Sequence, residues 1–480
     1  MTQHNRHHCT MIFSAPLYIK ERHCGYCNDT KQDYYALESQ AKAASTGTQQ
    51  RGRDKQSIMV GSTITSMTCQ NYDELINQGF RRSGTFLYKS DLLRTCCRLY
   101  TIRTNMSYFK PTKKQRKAIN KFIKEIVPDE SQLSPVVKNS FTLDRLVEAQ
   151  LKSTTFKIEY EPSKFSKEKF QLYKKYQVAV HNDDPDDITE KSFTRFLCHS
   201  PFTSDEIRGI DAQWQSLDVN NWSVNSQEKR IGPTHACYYL NDKLIAISIL
   251  DFLPSGISSI YFIWDPDYAH LSLGTILGIN EVQMCQALGF DWYYLGYYIE
   301  DCDKMNYKAK FGGEVLDVCS ETFYPIEDVK PYLANGRLFV IGTIGETKQG
   351  KESECEATGH AKSATICEVN YNAAEDLYGG EEVYANAKRE AKQLLSDYDI
   401  GRTDEYKLPQ VMPGLIPLLK ILLWLDEEVI DEDTPIKINM FGGVHKFQFG
   451  KLNHEGRGFY IDCIRLFGLE KMQNSTMILQ

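Results

Sequence analysis

Hydrophobic and polar positions along this 480-residue chain are most regular between Thr234 and Tyr298. Two apolar runs, 235–240 and 244–250, flank Asn241-Asp242-Lys243, residue types that tolerate positive φ, and predict a β-hairpin. A third strand is expected over 257–264, stopping at Asp265-Pro266-Asp267. A helix follows from about 272 to 287, closed by Gly289 as its C-terminal cap, and a last strand spans 291–298. Upstream, Ile119, Phe122, Ile123 and Ile126 recur at helical spacing, with Pro111 near the first turn and Pro128 as a stop, which predicts a helix from Lys110. A short helix over 143–151 and a second helical region over 166–180 precede the acidic loop 183–187. Residues 415–425 read as an apolar helix. The polar run Ala41–Asp54 is too poor in apolar residues to pack and marks 38–57 as a flexible insert. The Glu-, Ala- and Gly-rich stretch 345–390 reads as a second, mobile insert. There is no internal repeat.

The order hairpin, strand, helix, strand matches the core of the GCN5-related N-acetyltransferase fold, a mixed sheet with a helix packed across it. The expected class is therefore α+β with such a core and an N-terminal cysteine-rich region. The expected divisions are a basic, metal- and nucleic-acid-binding region over 1–128, a connection over 129–165 and a GCN5-related acyltransferase-like region over 166–480. An acetyl-CoA enzyme of that fold carries a glycine-rich pyrophosphate loop before the helix. Here that place holds Tyr268-Ala-His-Leu-Ser-Leu-Gly-Thr275 with one glycine, so no acetyl-CoA is expected and a CoA-dependent N-acetyltransferase remains only an alternative.

Composition narrows the class further. Hydrophobic content of 41% and 28 tyrosines point to a globular protein, and the length suggests two or three domains. The net charge of -7 would repel a polyanion, yet residues 81–124 carry 13 Lys and Arg against one acid, Asp91. That strip, with Arg81, Arg82, Arg94, Arg98, Lys113, Lys114, Lys117 and Lys121, is the candidate phosphate-contacting surface. A solvated helix face is the plain alternative for the lysines. The first residues lack a secretory apolar core and no run approaches a membrane span, so cytosol, and also nucleus, is the expected compartment. Fourteen irregularly spaced cysteines read as reduced thiols and metal ligands. Cys24-Gly-Tyr-Cys27 with Cys96-Cys97 supplies four thiolates, the number that closes a tetrahedral zinc site or holds an iron-sulfur cluster, and the spacing leaves the choice open. His7, His8, Cys9 and His23 are further candidate ligands. Cys198, Cys237 and Cys302 sit among apolar neighbours and read as inert thiols rather than nucleophiles.

Several stretches together resemble the eukaryotic arginyl-tRNA-protein transferases: Cys24-Gly-Tyr-Cys27, Gln78 to Gly84, Thr95-Cys-Cys97, Tyr173 to Val180, Lys191 to Cys198, Asp265 to Tyr268, Leu271 to Gly274, and Tyr294 to Ile299 leading into Cys302-Asp-Lys-Met-Asn-Tyr-Lys308. The resemblance implies transfer of arginine from charged tRNA to the α-amine of proteins beginning with Asp, Glu or oxidised Cys, which marks them for ubiquitin-dependent degradation. It also implies that the cysteine quartet binds an iron-sulfur cluster or zinc. The chain departs from the family in its two inserts and in Phe311-Gly-Gly313, where a Pro-Ser pair is more usual.

An aminoacyl ester is already activated, and a protein α-amine with a pKa of about 7.7 to 8 is partly nucleophilic at neutral pH, so positioning matters more than a strong base. Lys304, Lys308 and Arg195 are the candidates for the substrate's acidic side chain. Asp251, Asp265, Asp267 and Glu300 compete for the donor guanidinium. His235 and Tyr298 are candidates to move the amine proton, and Tyr307 belongs to the same catalytic motif. A non-catalytic tRNA- or N-degron-binding protein is the rival from another class. A monomer is expected.

Overall fold

The computed structural model describes residues 11–31, 57–135, 141–225, 228–333, 338, 380–401 and 408–478. Nearly all of the 38–57 insert, residues 345–379 of the second insert, and His7, His8 and Cys9 lie outside them. The fold is mixed α/β with two mixed sheets, in two compact units. The first unit comprises Met1–Thr101, Tyr297–Tyr307 and Val315–Gln480, and the second Ile102–Gly296 and Lys308–Glu314. This division differs from the linear boundaries expected near 128 and 165. Among the described residues no helix is long and apolar enough to cross a membrane.

The sheet of the first unit runs in the order Gly443–Gln448, Pro435–Met440, Thr476–Ile478, Ile12–Ser14, Ser57–Ser66, Phe86–Ser90, Arg81–Ser83, with Leu17–Glu21 also paired to Ser57–Ser66. Ile58, Val60, Ser62 and Ile64 alternate inward along its long strand, the period-two pattern of a half-buried sheet. Ile12–Ser14 lies parallel to Thr476–Ile478, with Ile12 opposite Thr476. A pairing between the two ends of the chain leaves no local sequence signal, which is why residues beyond 315 join the N-terminal unit. The helix His454–Phe467, capped by the Asn453 side chain accepting from the Gly456 N–H, buries Phe467 against Phe13, ring centroids 4.7 Å apart.

In the second unit Phe156–Pro162, Gly232–Leu240, Lys243–Phe252 and Gly256–Trp264 pair antiparallel in turn, and Trp292–Tyr298 joins Gly256–Trp264 in parallel. Asn241 and Asp242 adopt φ of 51° and 58°, so the hairpin forms where their residue types predicted it. The helix Leu273–Leu288 ends at Gly289 with φ 64°. It is buried on nearly all sides, Asn280, Glu281 and Gln283 included. Phe156–Pro162 corrects the reading of 129–165 as a mere connection: it is an edge strand whose Lys157, Glu159 and Glu161 hide its β character. The basic helix spans Lys113–Ile126, later than expected. Thr112 and Gln115 form a capping box that starts it, so Pro111 precedes the cap.

Candidate functional site

Two loops of the first unit carry the cysteine quartet. In the first, Asn28 and Asp29 take left-handed φ of 46° and 59°, turning the chain so that the Asn28 N–H reaches the Cys24 carbonyl at 2.9 Å. The Asp29 carboxylate accepts from the Cys24 N–H at 2.8 Å. The second loop is organised by the one acid of the basic stretch. Asp91, fully buried, accepts from the backbone N–H of Leu93 (3.0 Å), from Tyr18 Oη (2.7 Å) and from Arg94 Nη1 (3.0 Å). Arg94 also donates to the Val411 carbonyl at 2.9 Å.

The four sulfurs of Cys24, Cys27, Cys96 and Cys97 lie within 4.8 Å of one another, all buried, with Cys27 Sγ 3.8 Å from Cys96 Sγ. Four thiolates 2.3 Å from one tetrahedral ion stand about 3.8 Å apart, so the quartet has the dimensions of a single-ion site. Hydrogen bonds from the Cys96 and Cys97 thiols hold the Cys24 thiol far below its usual range, and the same bonds push Cys96 up to about 12 and Cys97 higher still. His23 is exposed and pairs with Asp29 at 2.8 Å rather than joining the sulfurs.

Against the quartet pack Ile299, Cys302 and Met305, the flank of the Cys302–Lys308 motif, and Lys31 pairs with Asp301. Cys302 Sγ faces the Tyr26 carbonyl at 3.8 Å. The cysteine loop therefore supports the segment that carries Glu300 and Lys304. Tyr298 donates to the Glu300 carboxylate, and burial together with that carboxylate raises its phenol above the ordinary range. Lys304 is exposed and Tyr307 half-buried. In the second unit Lys308 is buried beside Gly296, whose φ of 76° and lack of a side chain leave it room.

The remaining acidic candidates separate. Asp265 is buried and already neutralised by Lys175 at 2.5 Å and Lys243 at 2.9 Å; it also caps the Asp267 N–H at 3.0 Å. Although burial opposes ionisation, these partners hold its carboxyl below the usual range. Asp267, exposed, shares Lys175 at 2.7 Å. Both carboxylates thus already pair with lysines of their own unit. Asp251 is fully buried and Arg195 exposed.

His235 is likewise held by structural partners. Its Nε2 donates to the Leu197 carbonyl at 3.0 Å, which leaves Nδ1 to accept from the Lys169 ammonium at 3.0 Å, and the ring is wholly buried. Both nitrogens are committed to the fold. Burial pushes the thiol of Cys198 up to about 11 and that of Cys237 higher, in keeping with inert cysteines.

The basic strip also divides. Arg81, Arg82, Arg94 and Arg98 are buried and donate to the carbonyls of Phe80, Gly84, Val411 and Thr95. Arg81, Arg82 and Arg98 brace their own loops, and Arg94 ties its loop to Val411. Lys113, Lys114, Lys117 and Lys121 stand exposed on the helix of the second unit. Sequence reasoning did not single out Asp91 or the packing of Cys302 on the quartet. Asp91 was nevertheless marked as the lone acid among thirteen bases.

Comparison with known proteins gives this geometry its family. Residues 22–117 match the N-terminal and residues 168–317 the C-terminal model of arginine-tRNA-protein transferase. Arginyl-tRNA-protein transferase 1 of Saccharomyces cerevisiae is 40% identical over 493 residues, covering 95% of each chain. Arginyl-tRNA-protein transferase 1 of Drosophila melanogaster is 26% identical over 57% of this chain and 78% of its own. An aspartate/glutamate leucyltransferase of Campylobacter jejuni is 24% identical over 56% of this chain and 90% of its own. A solved C-terminal domain from Agrobacterium fabrum covers 42% of this chain and 46% of its own at 10% identity, with a TM-score of 0.22 that carries no argument. With both family models matched in order and a relative aligned along nearly the whole length, the chain belongs to the arginyl-tRNA-protein transferase family.

Proposed function

We propose that this protein transfers arginine from arginyl-tRNA to the N-terminal α-amine of proteins beginning with Asp, Glu or oxidised Cys, creating a signal for ubiquitin-dependent degradation. The observation that carries the reading is the 40% identity across 95% of the chain with a transferase of that name. The order of hairpin, strand, helix and parallel strand in the second unit supports a GCN5-related acyltransferase core. Before its helix comes a short helical turn, Pro266–Leu271, with one glycine after it in place of a glycine-rich pyrophosphate loop. We take the acyl donor to be the aminoacyl ester of tRNA rather than acetyl-CoA.

Such an ester needs no external activation, so the chain's task is to hold amine and ester together. Glu300, half-buried and bonded to Tyr298, is placed to orient a cation, whether the incoming ammonium or the donor guanidinium. Lys304, exposed in the same segment, is the candidate cation for the substrate's acidic side chain, beside Arg195 and Lys308. The exposed lysines of Lys113–Ile126 take the tRNA backbone. Cys24, Cys27, Cys96 and Cys97 would hold one tetrahedral ion. Zinc fits these dimensions, because the outward sulfurs of a four-iron cluster stand farther apart than 4.8 Å. Closed by four thiolates, it would serve to fix the Cys302–Lys308 segment. A monomer acting in cytosol and nucleus completes the reading.

Labelled arginyl-tRNA with an Asp-started peptide should yield arginylated peptide, whereas leucyl-tRNA and acetyl-CoA should not serve as donors; absence of arginine transfer would overturn the proposal. Lys304→Ala should lower kcat/KM for Asp- and Glu-started peptides roughly 10- to 150-fold, as expected for a charge-assisted contact of about 1.5 to 3 kcal/mol, with little change for Asn-started ones. An equal loss on both peptide classes would move the acidic pocket elsewhere.

A further inference from the structure

Two hairpins of this chain use the same tight loop with opposite residue choices. In the second unit Leu240 and Lys243 close a two-residue loop, Asn241-Asp242, in which both residues have positive φ, and Asn and Asp are the types that conformation favours. In the first unit Met440 pairs with Gly443 around Phe441-Gly442, with φ of 52° and 78°. A phenylalanine in the left-handed region is strained. It is also 97% exposed, the most exposed large apolar side chain among the described residues. Neither the turn nor a core accounts for this ring.

One face of that hairpin carries paired cations. Lys437 stands directly opposite Lys446, and the next pair on the same face is Asn439 opposite Val444, itself 55% exposed. Like charges facing each other across a strand pair are destabilising unless an anion joins them. Neither lysine has an acidic partner among the described residues. The strand Gly443–Gln448 is also the outer edge of its sheet. Phe441 follows the strand's last residue, Met440, so an exposed aromatic ring at the tip and two phosphate-seeking cations on the strands belong to one hairpin, the combination found in surfaces that bind unpaired nucleotides.

We propose that this hairpin binds an unpaired loop nucleotide of the tRNA, its base stacked on Phe441 and its neighbouring phosphates on Lys437 and Lys446. The inference rests on the tRNA-dependent transfer proposed above. A loop nucleotide is the occupant because the tRNA's 3′ terminus must present its ester to the amine.

The test uses the full chain and purified tRNA. Phe441→Asn removes the ring while giving the turn a residue it favours, so hairpin stability should hold or rise. Affinity for tRNA should nevertheless fall about 5- to 150-fold, the range for losing one stacked base. Phe441→Trp should retain affinity. Lys437→Ala with Lys446→Ala should reduce the slope of log affinity against log salt by about 1.4 to 1.8. The same penalties should appear with tRNA trimmed of its 3′ end; a penalty confined to intact tRNA would overturn the loop assignment. Wild-type tRNA affinity in Phe441→Asn together with an unchanged salt slope in the double lysine variant would overturn the proposal, as would a Phe441→Asn defect seen only in KM for the protein substrate. If the wild-type protein transfers arginine, those outcomes remove the hairpin's role alone. If it transfers none, the underlying functional reading falls instead.

Discussion

Arg81–Arg98 and Lys113–Lys124 form one basic stretch in sequence, yet they behave oppositely in the folded protein. The four arginines of the first part are 4–9% exposed and spend their donors on backbone carbonyls. The lysines of the second part ring the outer face of a helix whose Ile119, Phe122, Ile123 and Ile126 are buried. The chemistry of the side chains explains the difference. A guanidinium offers five donors in a rigid fork and can satisfy several carbonyls of an irregular loop, whereas an ammonium is strongly hydrated and is best left in water. Basic density therefore measured two things at once: loop construction around the cysteines and an available surface for a polyanion.

That contrast can be broken at its strongest point first. If the buried side is built around a metal-closed quartet, Cys24→Ser and Cys97→Ser should each remove the bound ion and sharply lower the melting temperature, since structural zinc sites contribute on the order of 10 kcal/mol or more. Elemental analysis with thermal unfolding checks this. Full metal content in both variants would refute a shared centre.

Arg94→Ala should come next. It leaves the buried Asp91 carboxylate without its cation and should destabilise the protein by about 3–5 kcal/mol, while the salt dependence of tRNA binding stays as in the wild type. Denaturant unfolding and a salt titration separate the two effects. A shallower salt slope at unchanged stability would return this arginine to the tRNA surface.

A buried carboxylate without a cation among the described residues sharpens the same point. Glu281 is fully buried, and burial lifts its pKa to about 7 even though it accepts from Tyr293 Oη at 2.6 Å. A folded-state value above the unfolded one near 4.3 means this group does not weaken the fold at low pH. Its destabilisation grows as pH rises from there to about 7 and then levels off. The total is about 4 kcal/mol. Glu281→Gln should flatten that part of the stability-against-pH curve and make the protein more stable at pH 8. An unchanged curve would mean that the carboxylate is stabilised in ionised form.

The smallest effect on stability belongs to the exposed side. Replacing Lys113, Lys117 and Lys121 together by Ala should leave stability within about 0.5 kcal/mol. It should, however, flatten the log-log salt slope of tRNA binding by about 2 to 2.7. An unchanged slope would show that these lysines are merely solvated.

What the sequence determined by itself were the features written within a short window. The hairpin at Asn241-Asp242, the strands and helix up to Tyr298, and the apolar face of Lys113–Ile126 follow from periodicity and turn chemistry over fewer than twenty residues each. The membership of the cysteine quartet was also legible, because thiolate pairs are rare enough to stand out. Tertiary structure alone decided which charges the fold consumes. His235, Asp265 and Arg94 resemble site residues by type, but their partners Leu197, Lys243 and Val411 lie well outside any short sequence window. The same holds for the sheet that joins Ile12–Ser14 to Thr476–Ile478, and for Phe441, whose exposure at a strained turn no local pattern announces. Local periodicity records which side of an element faces the core. Which distant groups satisfy a buried charge depends on long-range packing, which no short window contains.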